Sequence, residues 1–174
     1  NIITKHDRRP EFVDTAGENW RRAAQITYRH ITKDENGLEQ IEAQGFMLGR
    51  WLGKRCISPP VVASGTNQEI INRIVTYNCG SGASEKRRFP QFMTLPQEVM
   101  NGSIVEYANE AYAQLGQEVK DRAQAGKLGY DILVNVRARK YGFYLYKGRD
   151  LTAENSVGNA PCIFSRNFDN VNEI

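Results

Sequence analysis

The sequence predicts an α+β fold: an antiparallel or mixed β-sheet packed by one long amphipathic helix at about residues 103–125, with a second helix near the N-terminus. Three observations predict it. Ser103 and Glu106 stand in the S-x-x-E pattern of a capping box, in which each side chain satisfies an orphan backbone N–H at a helix start. Ile104, Ala108, Ala111, Leu115, Val119 and Arg122 then recur at helical spacing, and Gly126 stands where a left-handed residue would end the helix. Beyond it the period changes to that of a strand. In Asp131–Arg139, Ile132, Val134, Val136 and Ala138 alternate with Leu133, Asn135, Arg137 and Arg139, which suits a strand with one buried face. Phe143–Lys147 is aromatic-rich and strand-like, with Tyr141-Gly142 read as a turn, a bulge or a bend in one long strand.

The remaining elements follow in order. Residues 1–14 read as a polar arm or a first edge element. Thr15 and Glu18 offer another capping box, and Trp20, Ala23, Ala24, Thr27, Tyr28 and Ile31 follow at helical spacing, so a helix is predicted from Ala16 to about His30. The rival is a hairpin of Gln25–Thr32 with Leu38–Leu48 across the turn Lys33–Gly37, favoured by the Thr, Tyr and Ile content. Gly45, Gly49 and Gly53 disfavour a helix through Leu38–Trp51 and favour a strand, where a glycine marks a bulge or a close crossing. Ser58-Pro59-Pro60 breaks the preceding element, and Val61–Asn67 is loop or short strand. The β-branched run Glu69–Asn78 reads as a strand and Cys79–Pro90 as a loop. Pro96 can open a short helical turn, Gly148–Pro161 is turn-rich, Cys162–Phe164 is a plausible last strand, and residues 167–174 form a polar tail. No repeat or linker asks for a second domain, so residues 1–174 are read as one.

The 174 residues suffice for a sizeable core, and a net charge of +3 is mildly basic. No apolar run reaches the ~20 residues that span a bilayer. Two histidines and three cysteines without a C-x-x-C make a metal site unexpected, and no cofactor motif appears. Cys56, Cys79 and Cys162 are disulfide candidates, one bond leaving one thiol over. The first residue is Asn rather than Met, which points to a processed or trimmed chain. With the dispersed cysteines it suggests a secreted or extracytoplasmic setting.

Two clusters are candidate binding surfaces. The run Tyr141, Tyr144 and Tyr146 beside Arg137 and Arg139 mixes rings and cations, as protein interfaces and single-stranded nucleic-acid sites do. The loop Cys79–Ser84 could present backbone N–H groups to an anion beside Lys86, Arg87 and Arg88. Cys79 could act as a nucleophile only with a base brought to it. His30, among Arg29, Arg22 and Asp34, is the first catalytic candidate if the chain hydrolyses RNA. The sparse acid–base residues favour a non-enzymatic recognition protein, effector-like or part of a secretion or adhesion apparatus, whose partner is another protein. The alternatives are a small basic metal-independent ribonuclease and a cytosolic subunit of a larger assembly.

Overall fold

The computed structural model describes residues 2–4, 12–13, 19–33, 37–97 and 99–148, with side chains from Trp20 onward. The fold is α+β, as expected. Its mixed sheet follows the order β1 (Ile2–Thr4), β3 (Asn19–Lys33), β8 (Leu128–Asn135), β9 (Lys140–Lys147), β6 (Phe92–Thr94), and β3 also pairs with β2 (Phe12–Val13) and β4 (Glu39–Met47). All pairings in it are antiparallel except β6 with β9. A separate antiparallel pair joins β5 (Val62–Gly65) to β7 (Val105–Ala108).

The hairpin β8–β9 forms, but the alternating run Asp131–Arg139 is strand only as far as Asn135, and both faces of that strand are covered. Ile132, Leu133, Val134 and Asn135 are all buried. Ile132, Val134, Phe143 and Leu145 face the main core, while Leu133 meets Trp20 and Leu95 on the other side, with Tyr144 packed against them. Tyr141 and Gly142 lie inside β9, and the turn falls at residues 136–139. Gly142 is glycine because the Leu95 side chain sits where its Cβ would be.

The single helix over 103–125 is not what forms. Val105–Ala108 is strand β7, Ile104 is 74% exposed, and helix α2 runs from Leu115 to Ala125. Leu115, Val119 and Ala123 supply its buried face. Its start carries no side-chain cap. Backbone contacts hold it instead: Leu115 N–H donates to Arg55 O at 2.8 Å, and Ile57 N–H donates to Ala113 O at 2.8 Å. Gly126 ends the helix with an ordinary φ of −85°, and Lys127 takes the left-handed turn at φ 53°. The Tyr107 hydroxyl donates to Glu118 Oε2 at 3.1 Å and so ties β7 to α2.

Glu69–Asn78 is also helical rather than extended: it lies within α1 (Asn67–Asn78). Thr66 Oγ1 accepts the Glu69 N–H, and Glu69 Oε2 accepts the Thr66 N–H at 2.7 Å, a reciprocal capping box. Ile70, Ile71, Ile74, Val75 and Asn78 are buried at helical spacing. Burial of that face outweighs the weak strand preference of its β-branched residues.

In the N-terminal third the hairpin forms rather than the helix over residues 16–30. β3 pairs with β4 from Ala24↔Met47 to Lys33↔Glu39, with a register shift between Ile26 and Tyr28. Gly45 stands opposite Ile26 at this irregularity, where a Cβ would strike the Gln25 backbone. The chain then enters a 3-10 helix, Leu48–Lys54, anchored by buried Leu48 and Leu52. The Thr15–Glu18 pair and Cys162–Phe164 lie outside the described residues. Among the described residues no helix is long and apolar enough to cross a membrane.

Candidate functional site

Two adjoining features stand out: a protruding β-arm and a groove at its base. Every described residue of the hairpin from Thr27 to Lys33 and from Gly37 to Met47 is exposed. β1 pairs with β3 only as far as Gln25, so beyond that point the arm is, among the described residues, a two-stranded ribbon. Register places Arg29, Ile31 and Lys33 opposite Ala43, Ile41 and Glu39 on one face. Ile31 and Ile41 form a directly opposed apolar pair, 64% and 67% exposed. The other face carries Tyr28, His30 and Thr32 opposite Gln44, Glu42 and Gln40.

The groove, of about 510 Å³, lies between the 3-10 helix, the loop before β6 and the start of β9. Trp51 is its centre. Its ring meets Tyr141 edge-on at 5.0 Å and Phe89 at 5.7 Å, and its Nε1–H donates to Gln25 Oε1 at 3.2 Å. Burial of Leu48 and Leu52 turns Arg50, Trp51 and Lys54 outward. The Arg55 guanidinium lies over Phe89 at 4.5 Å and that of Arg50 over Phe46 at 3.4 Å. A second hollow, lined in part by Phe46, Met47 and Arg50, shares Gln25, Trp51 and Lys54 with the groove and leads to the base of the arm.

The residues singled out from sequence are distributed over the molecule. Tyr141 lines the groove. Tyr144 and Tyr146 stack on each other at 6.0 Å, and Tyr144 packs on the Trp20 side of the sheet, the face opposite Phe143. Arg137 and Arg139 are exposed in the β8–β9 turn. Arg87 acts as a clamp: its guanidinium donates to Cys56 O and to Asn78 Oδ1, and Asn78 also accepts Ser58 N–H at 3.1 Å. Arg88 donates to Ser81 O and Ala83 O, closing the glycine-rich loop on itself, while Lys86 is exposed. His30 sits on the open arm across from Glu42. Trp51, Phe89, Arg50 and Phe46 were not among the sequence candidates. The run Arg50-Trp51-Leu52-Gly53-Lys54-Arg55, a ring among three cations, is the signal that could have found the groove.

The thiols correct one expectation. Cys56 and Cys79 are free, and no cysteine pair among the described residues forms a disulfide; Cys162 lies outside them. Cys79 is fully buried in the core, and burial pushes its thiol up to about 12 even with Arg55 and Arg87 nearby. A thiol held so far above neutral is no nucleophile. Among the described residues no group of three or more His, Cys, Asp or Glu could hold a metal ion.

No solved structure matches the chain. A glutamate-1-semialdehyde 2,1-aminomutase of Pyrobaculum aerophilum is 28% identical over 118 residues. Those residues are 68% of this chain, which spans only a quarter of that protein's length. The family model described as "Siphovirus ReqiPepy6 Gp37-like protein" matches residues 9–174. A phage family gives no support to a secreted effector, and that expectation is withdrawn together with the disulfide. Matched over nearly its whole length, the chain belongs to the siphovirus ReqiPepy6 Gp37-like protein family.

Proposed function

We propose that the chain is a non-enzymatic recognition protein that works as a subunit of a siphovirus-encoded protein assembly, with the β3–β4 arm as its main contact. One observation carries this reading: the arm is a ribbon with no covering layer among the described residues and an apolar cross-strand pair, Ile31 and Ile41, in the open. An isolated two-stranded hairpin is marginal in water, and apolar residues exposed on it gain from a partner's surface. The arm's outer strand edges, which pair with no other described strand, add main-chain donors and acceptors that a partner strand can use.

The test is complementation. In a siphovirus whose own copy is deleted, the double variant Ile31→Asp/Ile41→Asp is expected to leave the purified protein folded but to lower infectious titre about tenfold or more, in line with losing a contact of ~1.4 kcal/mol or above. Full titre with the variant overturns the role of the arm. Cleavage of RNA by the pure protein, abolished by His30→Ala, would overturn the non-enzymatic part and restore the ribonuclease alternative.

A further inference from the structure

The groove at the base of the arm has a chemistry of its own, and from it we infer that it seats an acidic segment of a partner protein. This deepens the protein-recognition reading and rests on it. Arg50, Lys54 and Arg55 bring three positive charges to the groove and the hollow that continues it, and among the described residues no Asp or Glu lines either. Among the described residues none of the three pairs with a carboxylate. Positive charges gathered without counter-charge in a concave, partly apolar site raise the local potential and favour an anionic ligand. The volume of about 510 Å³ falls in the ~300–1,000 Å³ range of ligand sites.

The rings decide between anionic polymers. A single-stranded nucleic acid needs open ring faces on which successive bases stack. Here Phe46 and Phe89 each already carry a guanidinium over the ring, and Trp51 and Tyr141 meet edge-on. A guanidinium resting on a ring is pre-organised and keeps its in-plane N–H donors for a carboxylate, which it can grip through two parallel hydrogen bonds. Trp51 and the apolar body of the groove then offer surface to an apolar side chain beside the acid. The groove and hollow share Trp51 and Lys54, so an extended peptide can run from Pro90 toward Phe46 and the arm.

Short synthetic peptides holding Asp or Glu next to an aromatic residue are the probe, titrated against the full chain while the Trp51 indole N–H is followed by NMR. Trp51→Phe assigns that signal against the one from Trp20, which is buried. Saturable shifts are expected, weakening with salt, with affinity about tenfold or more lower in Lys54→Glu/Arg55→Glu. Peptides with lysine in place of the acids are expected not to bind. Absence of a saturable shift with every acidic peptide, or undiminished affinity in the charge-reversed variant, overturns the inference. Tighter binding of an oligothymidylate of equal length also overturns it and assigns the groove to nucleic acid. The arm variant Ile31→Asp/Ile41→Asp leaves the groove intact, so a silent groove with a functional arm sinks this inference alone, whereas a groove that binds and an arm that does nothing sinks the arm reading alone.

Discussion

Thr66 and Glu69 exchange reciprocal hydrogen bonds at the start of α1, and that pair sets where the helix of buried β-branched residues begins. Thr66→Ala is expected to cost about 1 kcal/mol, read as a lowered midpoint in urea with unchanged slope. The Thr66 backbone N–H, helped by its hydroxyl, holds the Glu69 carboxyl below the usual carboxylate range. A lowered folded-state value adds stability that is present above the ordinary carboxylate value and is lost as pH falls through the lowered one. Melts between about pH 5 and about pH 2 should therefore fall less steeply in Glu69→Gln than in the parent; equal slopes would contradict the pairing. The T-x-x-E pattern at Thr66 caps a helix, while the S-x-x-E pattern at Ser103 leads into strand β7. A capping pattern spans four residues and recurs by chance, and only a buried face behind it makes it work. At Cys79 the expectation is inertness: the native protein should leave it unalkylated under conditions that modify it after denaturation.

At the scale of elements, periodicity was most legible in segments whose apolar residues recur at the period of the element that forms. The β8–β9 strands and the buried stripe Leu115, Val119 of α2 were visible. The β3–β4 arm was legible only as a rival to a helix, because every described residue of its outer part is exposed and no alternation of burial marks it. The groove was less visible still. Trp51, Phe89 and Tyr141 come from three distant parts of the chain, and only the sheet and the 3-10 helix bring them together. Tyr141 was a candidate, but its apparent companions Tyr144 and Tyr146 point to the other face by the two-residue period of a strand. Gly142, read as a possible turn, is instead the floor under Leu95. Gly142→Ala should push Leu95 out of its seat and cost ~1–3 kcal/mol, whereas Gly49→Ala, with open space at its Cβ, should lack any such clash.

Taken as a whole, the molecule separates a buried body from an exposed contact device. The two helices, the 3-10 helix and the β8–β9 hairpin hold the core, and no described residue of the arm belongs to it. Substitutions on the arm should therefore change association without changing stability. Amides of Tyr28–Lys33 and Glu39–Gln44 should exchange with solvent far faster than those of β8 in the isolated protein. The most direct measurement is site-specific photo-crosslinking within particles. A photoreactive phenylalanine replaces Ile41 on the arm or, as a control, exposed Tyr112 on the turn before α2. A single discrete adduct to one structural protein of the particle from position 41, absent from position 112, is the predicted result. The same adducts from both positions, or none from position 41 in particles that contain the protein, would contradict the arm as its recognition surface.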